Sequence, residues 1–240
     1  MLKKLRLALK IPPFPLVLKT LFILLLLVWL NATPFKFYPL LVFIFFSAFF
    51  YFWPLINTID FLGYFLIFLF GALVAVLSLS FSLLTIIIIL GLAAIYFLLI
   101  GSKNLNISGQ QSIFLLRSLL FLLVFFIFFS VNKSELFLIK YLLFIAAIFL
   151  LFFGLFKNYP KKKLYTVAFS FLLAQMIWVI ALLPIGFINQ TALVLLFVLI
   201  IEELALLHFS GTFNYQNIVK NIIIIIILGT LILALSKWNI

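Results

Sequence analysis

FLGYFLIFLFGALVAVLSLSFSLLTIIIILGLAAIYFLLIG, residues 61–101, decides how this chain folds. It contains no charged side chain. Wound as one helix at 1.5 Å per residue it would be roughly 60 Å long, twice the ~30 Å hydrocarbon thickness of a bilayer. The run has to turn back on itself, and the cluster Ser78, Ser80 and Ser82 marks the hairpin. The expectation here is two helices of membrane length joined by a short serine turn, and no internal repeat of this unit is visible elsewhere in the chain.

The same ruler of roughly 20 apolar residues per crossing applies on either side. It places spans at 15–31, 38–56, 61–79, 82–101, 113–131, 137–156, 165–184, 188–208 and 218–236. The fold class is all-α, a polytopic transmembrane helical bundle of eight or nine spans. The last two are the least regular, because the eighth carries Glu202 and Glu203. Residues 1–14, with Lys3, Lys4, Arg6 and Lys10, read as a short basic interfacial segment stopped by Pro12, Pro13 and Pro15. Residues 15–240 read as a single transmembrane domain. Leu30-Asn31-Ala32 is a poor cleavage site, which favours a retained first span over a signal peptide.

Composition agrees. Of 240 residues, 69% are hydrophobic and 8% charged, too few polar groups to cover a water-soluble globule of this size. Cysteine is absent, which removes disulfides, thiolate metal sites and cysteine nucleophiles. A single His and four acidic residues leave too few ligands for a metal site, and no cofactor is expected. The net charge of +12 sits in short clusters flanking apolar runs. That pattern sets orientation and contacts anionic lipid rather than nucleic acid.

Orientation follows from the basic loops. The N-terminal cluster and the cluster of Lys157, Lys161, Lys162 and Lys163 are separated by six expected spans. An even number puts both on one side, which the positive-inside rule makes cytoplasmic. Lys3, Lys4, Arg6, Lys10, Lys161, Lys162 and Lys163 are the expected headgroup contacts. The loops on the other face carry little charge. Trp29, Tyr38 and Trp53 fall at span ends, where aromatic rings anchor to the headgroup layer.

Ionisable groups within spans are costly and so are candidates for function. Glu202 and Glu203 in ALVLLFVLIIEELALLHFSG, Arg117 one turn into span five and Lys220 early in span nine fall at similar depth. Together with Lys19 in span one, they suggest an intramembrane cluster of Glu202, Glu203, Arg117 and Lys220. On one helix Glu202 and Glu203 are about 100° apart, and His208 lies ~120–140° from either, so the three do not converge. Gln175 is the most central polar group, and an amide at that depth asks for a partner on another helix. Gly71, Ala75 and Ser78 in span three and Gly91 and Ala94 in span four suggest close helix contacts. If span eight stopped near Ile201, its two glutamates would lie in water; a helix continuing to Leu207 or His208 fits the bilayer better.

No known family is matched. Prenyl-protein-type intramembrane proteases place an arginine four residues after a glutamate pair and add histidines from later helices. Here position 207 is Leu and the chain has one His. Retinal proteins need a mid-helix lysine with a carboxylate counter-ion, and Lys220 is near a helix end. Rhomboid-type proteases need a serine motif that Ser170 and Ser210 lack.

The expectation is a bacterial multi-pass inner-membrane protein without catalytic residues: a scaffold, an assembly subunit or a minimal permease-like unit. Its partners would be membrane lipids and another membrane protein or a second copy of itself. Two other classes remain open. One is an intramembrane enzyme or lipid-handling protein using Glu202, Glu203, His208 and Arg117. The other is a small solute or ion carrier with Gln175 as midplane ligand.

Overall fold

A computed structural model describes residues 13–33, 35–53, 58–78, 83–104, 110–130, 137–157, 159–209, 211 and 214–236. Among these residues there are nine α-helices: α1 Pro13–Ala32, α2 Phe37–Phe52, α3 Thr58–Ser78, α4 Leu83–Asn104, α5 Gln110–Ser130, α6 Phe137–Leu155, α7 Lys162–Ala181, α8 Phe187–Phe209 and α9 Tyr215–Leu235. Each expected span overlaps one helix. Six helices, α1, α4, α5, α7, α8 and α9, are long and apolar enough to cross a membrane, and the apolar parts of α2, α3 and α6 are shorter. The serine turn lies outside the described residues except for Ser78, which ends α3. Residues 1–12, with the basic N-terminal cluster, also lie outside them.

The helix ends obey local chemistry. Pro13 and Pro15 do not stop a helix; they sit in the first turn of α1. There the missing N–H costs nothing and the fixed φ already suits a helix. Pro39 occupies the same place in α2. Trp53, just beyond α2, is extended at φ −108° and ψ 112°, the region to which a following proline, here Pro54, confines its neighbour. Gly211, at φ +71°, donates its N–H to the His208 carbonyl at 3.3 Å. This left-handed residue closes α8 as glycine does at many helix ends. The helix thus runs through Glu202 and Glu203 to Phe209 rather than stopping at Ile201.

The chain divides into two compact units, Met1–Leu120 and Phe121–Ile240. In the first, α1 packs on α4, α2 and α3, and α3 packs on α2 and α4. Ile23, Leu27, Phe43, Phe68 and Tyr96 are wholly enclosed there. The Tyr51 and Phe65 rings stack at 4.1 Å, and the Tyr96 hydroxyl donates to the Ser47 carbonyl at 3.1 Å, tying α4 to α2. Gly71 and Ala75 of α3 are buried as expected of a close contact, and so are Ala72 beside them and Ala93 of α4. Gly91 and Ala94 correct the expectation. Both are exposed, and a side chain added at Gly91 would meet nothing within 4 Å. Small residues permit close approach but do not by themselves choose the face.

In the second unit, α6 packs on α7, α7 on α8 and α8 on α9. Its core is aromatic. Phe152 is fully buried, with its ring 5.4 Å from Phe121, 6.0 Å from Phe156 and 5.9 Å from Phe169. Phe128 meets Phe144 at 4.3 Å. In helix α9 Asn221 is the one buried side chain among the described residues before Ser236, and Ile222, Ile223, Ile226 and Ile227 are exposed.

Candidate functional site

Two polar constellations stand out, one in each unit. In the first, two lysines converge on the C-terminal end of α2. The last carbonyls of a helix have no partner within it and carry the negative end of its dipole. Lys19 of α1 donates from Nζ to the Trp53 carbonyl at 3.0 Å. Lys103, in the last turn of α4, donates from Nζ to the Tyr51 carbonyl, and its ammonium lies 4.5 Å from the centre of the Tyr51 ring. Lys103 is only 1% exposed. Together the two cations tie α1 and α4 to the end of α2, satisfying carbonyls that lipid cannot. Sequence reasoning missed Lys103, because SKNLNISGQQS reads as a polar loop. The available signal was a basic residue one turn past the end of an apolar run, where helix C-termini favour cations.

In the second unit, α8 carries Glu202, Glu203 and His208. Their 100° spacing sends them different ways. Glu202 is enclosed. Glu203 turns toward α9, where its Oε1 lies 3.7 Å from Lys220 Nζ. His208, in the final turn, is exposed and lines a groove between α7 and α8. Of the expected cluster of Glu202, Glu203, Arg117 and Lys220, that 3.7 Å approach is the contact between Lys220 and Glu203 alone. Arg117 is buried and belongs to the first unit, while the two glutamates belong to the second.

The Glu203–Lys220 pair has side chains 42% and 64% exposed, and exposed pairs contribute little. Lys220→Gln is expected to lower stability by less than about 1 kcal/mol. Thermal melting in detergent measures this, and a loss several times larger would mean the pair is shielded from solvent.

The groove between α7 and α8 encloses about 330 Å³ and is lined by Tyr165, Phe169, Ile201, Leu204 and His208 among others. Phe209, which also lines the groove, stacks on the Tyr159 ring at 4.5 Å. Lys161 and Lys163, at the start of α7, are exposed, and Lys162 places its ammonium 5.3 Å from the Phe153 ring. Lys3, Lys4, Arg6 and Lys10 lie outside the described residues.

Gln175 lies on the exposed face of α7, in company with Phe171, Leu172, Trp178 and Val179. Among the described residues its amide makes no hydrogen bond. By contrast, Gln190 donates from Nε2 to the Leu183 carbonyl at 3.2 Å and the Ile180 carbonyl at 3.4 Å, closing the end of α7. No three acidic or histidine side chains gather among the described residues. No family model matches the chain, and no curated protein or solved structure matches it.

Proposed function

We propose that this protein is a non-enzymatic component of a cell inner membrane, an assembly subunit that crosses the bilayer nine times from a cytoplasmic N-terminus. One observation carries the reading. Gln175 lies within the helix Lys162–Ala181, in the uncharged run 164–201, and is exposed on that helix. An amide presented to hydrocarbon forfeits its hydrogen bonds. A protein surface at that depth restores them, and a second copy of the chain does so most simply. The amide both donates and accepts, so two Gln175 side chains across a two-fold axis satisfy each other, and two-fold pairing is the commonest symmetry of homo-oligomers.

The other polar groups support a structural role. Lys19 and Lys103 are held on the end of α2, Glu203 faces Lys220, and His208 opens on a mostly apolar groove rather than joining Glu202. Six crossings between the two basic clusters would put both on one face, which the positive-inside rule makes cytoplasmic.

The absence of cysteine makes the test direct. Phe171 and Val179 lie one turn to either side of Gln175. Phe171→Cys or Val179→Cys is expected to give disulfide-linked dimers in native membranes on mild oxidation. Adding Gln175→Leu should cut the dimer fraction about 3- to 30-fold, corresponding to the ~0.6–2 kcal/mol of an interhelical hydrogen bond in lipid. Absence of cross-linking at both positions, or cross-linking indifferent to Gln175→Leu, overturns the reading.

A further inference from the structure

We propose that the groove between α7 and α8 is a binding site for one anionic glycerophospholipid, with an acyl chain along Tyr165, Phe169, Ile201 and Leu204 and the phosphate at the start of α7. The site is built from three independent features. First, the groove is apolar along its length and ends at the last turn of α8, where His208 lines it. An acyl chain entering from the bilayer fits this shape, whereas a polar solute would lose its hydration to those walls.

Second, the positive groups are collected at that same end. Lys161, Lys162 and Lys163 open α7, one turn before Tyr165. The first turn of α7 has no acidic residue, and its N-cap residue, Lys161, makes no side-chain capping bond. Free backbone N–H groups at a helix start, with the dipole behind them, attract a phosphate, and the exposed Lys161 and Lys163 strengthen that attraction. Lys161 itself is at φ +59°, a left-handed conformation that a lysine adopts only at a cost.

Third, the acids of α8 are withdrawn from the groove. Glu202 is enclosed and Glu203 faces Lys220. The mouth therefore presents lysine and histidine without a competing carboxylate from α8. This charge complementarity selects an anionic headgroup over a zwitterionic one.

The test uses the full chain in detergent micelles with phosphatidylglycerol or phosphatidylcholine of matched acyl chains, read by native mass spectrometry. One phosphatidylglycerol per chain is expected to remain bound at least tenfold more than phosphatidylcholine. Neutralising Lys161, Lys162 and Lys163 to Gln should abolish that preference. Ala205→Phe, which fills the groove from α8, should displace the lipid while the melting temperature in phosphatidylcholine stays within a few degrees. Should that variant misfold, His208→Leu provides the second arm, with a severalfold weakening expected. Neutralising Lys3, Lys4, Arg6 and Lys10 should leave the bound lipid in place. Equal retention of the two lipids overturns the proposal. So does loss of the preference on neutralising the N-terminal cluster alone. Lipid that survives both Ala205→Phe and His208→Leu would show surface electrostatics without a groove, which also overturns it.

Discussion

Lys103→Glu is expected to prevent the first unit from folding. The ammonium of Lys103 is sealed against the end of α2, on the Tyr51 carbonyl and beside the Tyr51 ring. A carboxylate there would face the negative end of the α2 dipole and the electron-rich face of the ring, with too little water to screen either. Leaving a buried charge uncompensated costs about 3–5 kcal/mol, which is a large part of the stability of a domain. Lys103→Met separates charge from packing. It keeps the length of the stem but leaves the Tyr51 carbonyl without this donor, a loss of ~1–3 kcal/mol. The order wild type, Lys103→Met, Lys103→Glu should appear in thermal melts of purified protein and in the amount recovered from membranes. A Lys103→Glu protein that accumulates and melts like the wild type would show that this cation does not tie the helices.

Phe152→Ala should be the most damaging simple truncation in the second unit. Its ring, on α6, meets Phe121 of α5, Phe169 of α7 and Phe156 just past the end of α6, so one deletion opens a cavity shared by three helices. Cavity formation at a buried phenylalanine costs on the order of 3 kcal/mol. Lipid cannot enter so enclosed a space to restore the lost contacts. Phe70→Ala is the matched control. Phe70 is 64% exposed on α3, and lipid fills the space its ring leaves, so its effect should be under about 0.5 kcal/mol. Melts of the two variants in the same detergent decide the matter. Equal destabilisation would mean that the enclosed rings do not hold the unit together. The contrast matters because helix association in a bilayer depends on packing rather than on escape from water.

Polar groups were legible in the sequence in depth but not in direction. Glu202 and Glu203 were recognisable as costly residues in span eight, and their angular divergence followed from helix geometry. Which of them is enclosed, and which turns to Lys220, depends on where α9 lies. Gln175 could be placed at mid-depth by counting residues, yet its exposure is a property of the packed unit. Lys103 was hidden because its neighbours Ser102 and Asn104 have the composition of a loop; the burial of Tyr51 and the end of α2 give it its role.

The linear sequence by itself determined that the chain is helical and built for a membrane, and where its helices run. Those properties depend on apolar run length against bilayer thickness, and on prolines, glycines and polar breaks that act locally. The 41 residues 61–101 illustrate this, divided between α3, which ends at Ser78, and α4, which begins at Leu83. The tertiary structure alone decided which side of each helix faces inward. Phe43 is enclosed and Phe45 is exposed on the same helix, two identical side chains with opposite fates. In water the polar face of a helix announces its outside. In hydrocarbon the core and the solvent are alike apolar, so both faces carry the same residues and only packing tells them apart.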